Sequence, residues 1–269
     1  MRGFPALLLG IVLAIVFAGS ASAAQLVSLN AVMATGNQSD LNAFDNTNGA
    51  SGNASGTGIT ISTCTTCALF VTVNMGVGSN QPDTPRSCTH NGDSMTEVTS
   101  SFNDNGVEDN LWFVLVNPDT GNNAISCAWS NVSSADAYIS AIAFNCVDQT
   151  TPYDNVTIAD AATANITGDA TGATISSFLT NGSEPTTTGT KFWGYSSLDP
   201  GGAGLYIMNT NGTNTHTYTG AGGSTPVLSG LHVRYAGGAC DAGGGASVKV
   251  NPMGGLNQGG AAANPFSTR

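Results

Sequence analysis

The densest run of oxygen donors in the chain is Asn103-Asp104-Asn105-Gly106-Val107-Glu108-Asp109, which sets Asp104, Glu108 and Asp109 among amide side chains. Calcium is a hard cation that gathers about six to eight such oxygens from carboxylates, amides and backbone carbonyls. The run does not have EF-hand spacing. With Gly106 placed at the invariant glycine of that loop, Ser101 falls at the first ligand position and Trp112 stands where a bidentate Glu is required. Calcium held by Asp104, Glu108 and Asp109 in a sandwich loop is the one cofactor the sequence suggests, against the plainer reading of a solvated acidic loop.

Other residues suggest bond-breaking chemistry and fall short of it. Gly92-Asp93-Ser94 has the order of a Gly-Asp-Ser esterase nucleophile block, but neither His216 nor His232 is followed or preceded by an Asp that would orient it as a base. Gly-x-Ser-x-Gly is absent as well. The same residues read more simply as a hairpin turn at Asn91-Gly92. Glycoside hydrolysis needs two carboxyls facing each other across a groove, one of them kept protonated. Most carboxylates here lie in turn sequences where water would leave them ordinary, Glu97 being the exception in a strand-like stretch. No catalytic residue is assigned, and the chain is not expected to be an enzyme.

Two further patterns suggest surfaces. Trp193 and Tyr195 share a face and would offer rings for stacking on a sugar, against the plainer reading that such rings pack in the core. In Thr213-Asn214-Thr215-His216-Thr217-Tyr218-Thr219, alternation puts four threonines on one face and His216 with Tyr218 on the other. A flat threonine array can order water and bind ice, which requires the ladder to be repeated on adjacent strands; threonine is also simply common in exposed strands.

The elements that would position these residues are strands. Val27, Leu29, Ala31 and Met33 alternate with their neighbours, as do Leu69, Val71, Val73 and Met75. Further short strands are expected at 111–116, 124–129, 137–146, 173–178, 191–195, 204–208, 213–219 and 228–235. Turn formers such as Asn117-Pro118-Asp119-Thr120-Gly121 separate them, and no capped helix with 3.6-residue periodicity occurs. About ten such strands imply an all-β fold, a two-sheet antiparallel sandwich of jelly-roll or, alternatively, immunoglobulin-like type. Residues 46–58, almost wholly Asn, Gly, Ser, Ala and Thr, read as a flexible loop, and 241–269 as a Gly/Ala/Asn-rich tail, largely disordered.

Residues 1–23 read as a secretory signal peptide: Arg2, an apolar run from Phe4 to Ala18, then small residues ending at an Ala-x-Ala site. A membrane anchor is the rival reading, but the run falls short of the roughly 20 apolar residues a span needs. The sandwich domain is expected over 24–240. Cys64, Cys67, Cys88, Cys127, Cys146 and Cys240 are even in number, as a disulfide framework in an oxidising compartment requires. The preferred pairing is Cys64–Cys67, Cys88–Cys127 and Cys146–Cys240. Zinc at Cys64-Thr-Thr-Cys67 would need a second closely spaced pair, which the chain does not have. With 17 Asp or Glu against six Lys or Arg, the formal net charge is −11. Nucleic acid is therefore not an expected partner. The seven Asn-x-Ser/Thr triplets follow from a composition so rich in these residues.

Three segments carry a resemblance: Cys88-Thr-His-Asn-Gly-Asp-Ser-Met-Thr-Glu-Val98, Leu111-Trp-Phe-Val-Leu-Val-Asn-Pro-Asp-Thr-Gly121 and Ile142-Ala-Phe-Asn-Cys-Val-Asp-Gln-Thr-Thr-Pro-Tyr-Asp154. Together the chain resembles, over roughly Ile59 to Ala236, a β-sandwich family found in bacterial secreted proteins and phage virion or tail-associated proteins. Members have a strand ending in Gly-Val-Asp-Gln-Thr-Thr-Pro, and Cys146 stands at the place of that glycine. The resemblance implies a single sandwich and no catalytic residues. The functional expectation is a secreted, surface- or virion-associated structural or adhesive module, or alternatively a lectin-like, calcium-assisted carbohydrate-binding module. Its partner would be an extracellular protein or a glycan surface, and its oligomeric state is left open.

Overall fold

The computed structural model describes residues 26–33, 52–64, 66–76, 83–106, 108–130, 136–195, 201–208, 211–220 and 226–237, with the side chains of 52–57, 76, 83–85, 129–130, 136–138 and 195 outside the description. Its first half carries β1 (Ser28–Val32), β2 (Gly52–Ile61), β3 (Ala68–Gly76), β4 (Asp83–His90), β5 (Asp93–Ser94), β6 (Thr96–Glu97), β7 (Asn103–Asp104), β8 (Glu108–Val116), β9 (Gly121–Ser130) and β10 (Asp136–Asn145). The second half carries β11 (Tyr153–Ala159), β12 (Thr163–Gly168), β13 (Ala173–Thr180), β14 (Thr186–Thr187), β15 (Thr190–Tyr195), β16 (Gly201–Met208), β17 (Gly212–Thr219) and β18 (Val227–Val233).

The protein is an all-β antiparallel sandwich, as the sequence implies, but its described strands form four sheets and not two. The first half pairs an outer sheet, β2-β9-β4-β5, with an inner one, β1-β10-β3-β8-β6, in which β7 also joins β8. The second half pairs an inner sheet, β11-β18-β13-β16-β15, with an outer one, β12-β17-β14. Three apolar layers alternate with them. Leu69, Val71, Val73 and Met75 of β3 meet Ile59, Ile61 and Ile125 of the first outer sheet. Phe70, Trp112 and Phe144 meet Ile175, Trp193 and Leu231 between the two inner sheets. Phe178 and Leu205 meet Ala164 and Tyr218 under the second outer sheet.

Because both inner sheets are covered on both faces, β13 is buried along its whole length although half its residues are Ser or Thr. Such polar groups must be paired to be tolerated. Between the inner sheets Asn110 Nδ2 donates to Asn74 Oδ1 at 2.6 Å, and Ser177 Oγ donates to the same oxygen at 2.9 Å. Ser229 Oγ donates to Asn110 Oδ1, and Trp112 Nε1 to the Ser229 carbonyl at 3.3 Å. Asn103 reaches across to the carbonyls of Ala159 and Leu228 at 3.0 and 3.1 Å. These bonds fix how one half sits on the other, which apolar contact alone specifies less sharply.

The expected flexible loop is corrected in part. Residues 52–58 belong to β2, which runs antiparallel to β9 with a bulge between Gly56 and Ile59, while 46–51 lie outside the described residues. Gly58 serves close approach: a Cβ on it would stand 2.2 Å from the Asn123 carbonyl oxygen. The signal segment and the tail also lie outside the described residues.

Two disulfides take the expected pairing. Cys88 and Cys127 face each other directly across β4 and β9, with Cα atoms 4.0 Å apart, and Cys64 joins Cys67. Cys146 is disulfide-bonded too, and its expected partner Cys240 lies outside the described residues. Cys146 has φ +64°, a left-handed conformation that glycine adopts without penalty. The next residues form the corner between the halves. The Asp148 carboxylate accepts the backbone N–H groups of Thr150 and Thr151 at 2.8 and 3.1 Å, and those bonds hold its carboxyl below the usual range. Gln149 Nε2 clamps the carbonyls of Val147 and Cys67 at 2.7 and 3.1 Å.

Candidate functional site

The acidic run is split by the period of the strand that holds it. Glu108 and Asp109 are successive residues of β8, whose unbroken register with β3 sends their side chains to opposite faces. Glu108 shares the face of Asn110 and Trp112, toward the second half. Asp109 shares the face of Leu111 and Phe113, toward the first outer sheet, with Asp104 directly opposite it on β7. Asp104 and Asp109 thus come together, Glu108 is turned away, and the three-carboxylate set expected to hold calcium is not assembled. Among the described residues no cluster of three or more His, Cys, Asp or Glu side chains is placed to hold a metal.

Asp109 is fully buried, and its carboxyl oxygens have no hydrogen-bond partner. Burial pushes its pKa up to about 8, reinforced by the Asp104 carboxylate, so at neutral pH it is mainly the protonated acid. Arg86 pulls the other way and is itself committed. It pairs with Glu97 at 2.7 and 3.2 Å and lies 4.1 Å from the Phe102 ring centroid. The strand carboxylate Glu97 is therefore half of an ion pair and not a free acid.

A second polar group sits between β13 and the outer sheet of the second half. Ser176 Oγ lies 2.6 Å from His216 Nδ1 and 2.7 Å from Tyr218 Oη, and His216 Nε2 lies 2.9 Å from Thr174 Oγ1. The Ser–His distance is that of a nucleophile and its base. All four residues are buried, however, and burial drives His216 down to about 3, leaving it neutral. The strand alternation in the sequence already turned His216 and Tyr218 inward; their partners Thr174 and Ser176, 40 or more residues away, carried no local signal. In the same layer His232 Nδ1 lies 2.7 Å from Asp154 Oδ1, joining a histidine to an aspartate 78 residues away in sequence. The Gly92-Asp93-Ser94 segment is the end of the β4–β5 hairpin, whose two turn residues, Asn91 and Gly92, both have positive φ, as a type I′ turn requires.

The ring surfaces are corrected. Trp193 is 2% exposed and packs between the two inner sheets. A bulge between Lys191 and Trp193 breaks the simple alternation and turns both Phe192 and Trp193 inward. The Trp193 ring covers the backbone of Gly202 and Gly204; a Cβ on Gly204 would stand 2.1 Å from Nε1. It is therefore not available to a sugar. The Tyr195 side chain lies outside the described residues.

A groove of about 440 Å³ opens to solvent where the 148–153 corner passes the end of β8. Thr96, Val114, Gln149, Thr151 and Tyr153 line it, and Tyr153 Oη accepts the Thr99 amide at 3.2 Å. Among the described residues no helix is long and apolar enough to cross a membrane.

Fold and site together define an all-β, disulfide-bridged protein of stacked antiparallel sheets, whose chemically able groups are held between the layers. No family model, curated protein or solved structure matches the chain.

Proposed function

We propose that this chain is a secreted structural or adhesive module, displayed on a cell surface or particle, that works without catalysis. The observation carrying this reading is where the reactive groups are spent. Asp109, His216 and Ser176 are all sealed between sheets, and Glu97 is held in its pair with Arg86. Two disulfides at the expected spacing suit an extracellular setting. An antibody to the chain should label an intact surface or particle of the source and stay with that fraction through a high-salt wash. Turnover of an ester or glycoside that Ser176→Ala or Asp104→Asn abolishes would overturn the non-enzymatic reading.

A lectin-like module is the second reading, favoured by the open groove at the corner and its mixed lining of Thr, Gln and Tyr. A glycan panel run with calcium and then with chelator tests it. Saturable binding that Tyr153→Ala removes supports the groove, and chelator sensitivity would bring Asp104 and calcium back.

A further inference from the structure

The outer sheet of the second half turns Ala164, Ile166, His216 and Tyr218 inward and leaves its other face in water. Every outward position along β12 and β17 is a threonine or an asparagine. Thr163, Asn165 and Thr167 on β12 lie directly opposite Thr217, Thr215 and Thr213 on β17. The third strand extends the pattern: Thr186 on β14 faces Thr219, and Thr188 just beyond it accepts the Thr217 amide at 3.1 Å. The ladder seen in one stretch of sequence is thus repeated on adjacent strands.

We propose that this face binds ice. Sheet geometry sets its hydroxyls on a two-dimensional net, about 4.8 Å between strands and about 6.7 Å between alternate residues along one. Prism planes of ice present water oxygens on a rectangular net of similar repeat. Thr163, Thr167, Thr213 and Thr217 offer hydroxyls to replace lattice waters and methyls to sit between lattice positions, while the Thr186, Thr188, Thr215 and Thr219 hydroxyls bond within the net.

The net is held in place. Thr215 Oγ1 donates to Asn165 Oδ1 at 2.8 Å, and the Thr186 and Thr219 hydroxyls lie 2.6 Å apart. Beneath it the Ser176–His216–Tyr218 bonds and the stacked rings of Phe178 and Tyr218, 4.7 Å apart, tie the sheet to its neighbour. A preorganised surface loses little entropy on binding.

Charge and ring content select the occupant. The chain carries a formal net charge of −11, yet none of these outward positions is charged, so the face complements something neutral. It presents no aromatic ring to stack on a pyranose and no large apolar or Arg anchor of the kind that dominates protein interfaces. This inference goes beyond the adhesive reading and stands whether the chain is displayed or free.

The test is ice recrystallisation inhibition together with ice-affinity partition, on the secreted full chain with its disulfides formed. Thr215→Tyr plants a large ring at the middle of the net; Thr120→Tyr places one on an exposed loop of the first half. The parent chain and Thr120→Tyr should inhibit recrystallisation and partition into ice. Thr215→Tyr should raise the inhibiting concentration about tenfold or more, with its circular dichroism and melting temperature unchanged; Thr163→Lys serves the same purpose should Thr215→Tyr fail to fold. Ice growth indifferent to the parent chain overturns the proposal, as does equal inhibition by a folded net variant. Retention on crystalline cellulose or chitin without any effect on ice overturns it in favour of a polysaccharide.

Discussion

Replacing Asp109 by Asn should change how stability depends on pH. In the folded chain the Asp109 carboxyl titrates at about 8, against about 4 when unfolded. A raised carboxyl pKa means that the folded state holds its proton longer. Stability is then greatest below the unfolded value, falls as pH rises from about 4 to about 8, and levels off above. His216 slopes the opposite way: titrating at about 3 in the fold and at about 6.5 unfolded, it adds stability as pH rises between those values and is flat above. His90, also lowered by burial, likewise stops contributing above its ordinary value. Those histidine terms are common to the parent chain and the variant, so the difference between the two from pH 6.5 to 8 isolates Asp109. At about 1.4 kcal/mol per unit, the parent chain should lose at most about 2 kcal/mol relative to the variant across that window. Asp109→Asn has nearly the same shape and no charge at any pH, so its stability should rise relative to the parent's from pH 6.5 to 8. Any cost of burying the amide is independent of pH and shifts the level without restoring the slope. A difference between parent and variant that stays constant from pH 6.5 to 8 would refute the reasoning.

Cys88→Ser with Cys127→Ser opens a crosslink spanning 39 residues and should cost about 4 kcal/mol by loop entropy, seen as a lower urea midpoint; Cys64→Ser with Cys67→Ser, spanning three, should cost about half of that. Asn74→Ala leaves Ser177 and Asn110 without their shared acceptor and should destabilise by about 2 kcal/mol in urea unfolding, with no change at the outer sheets by hydrogen exchange. Gly204→Ala drives a methyl into the Trp193 ring and should cost about 1–3 kcal/mol, with a shift in tryptophan emission that an equally buried site away from Trp193 would not give.

The strand class was legible because alternation is written into segments such as Leu69 to Met75 and Thr213 to Thr219. The number of sheets was not. A strand buried on both faces ordinarily reads as a continuous apolar run, whereas β13 reads Ala-Thr-Ile-Ser-Ser-Phe-Leu-Thr and pairs its polar half with residues from distant strands. β2 was hidden for a different reason: glycine needed for close approach to β9 has the same composition as a flexible linker. At the candidate sites a local rule misled twice. Asp104, Glu108 and Asp109 are close in sequence, but strand alternation divides them between two layers. One bulge residue set Trp193, a candidate ring for a sugar, in the interior beside Phe192. The threonine ladder was readable on β17 alone; that β12 and β14 continue it depends on pairings between residues up to 54 positions apart, Thr163 with Thr217 being the widest.

The place of β18 in its sheet also sets an order of events in time. It is the last of the described strands, yet it lies between β11 and β13 and not at an edge. During synthesis, the second inner sheet stays open along its middle until residue 233 has emerged, and the Asn74–Asn110 face of the first half waits without Ser229 to meet it. Contacts this distant in sequence make for slow closure. A chain stopped before Val227 would be a half-open sandwich with β11 unpaired and one edge of β13 open, a target for chaperone or protease and not a shorter working protein.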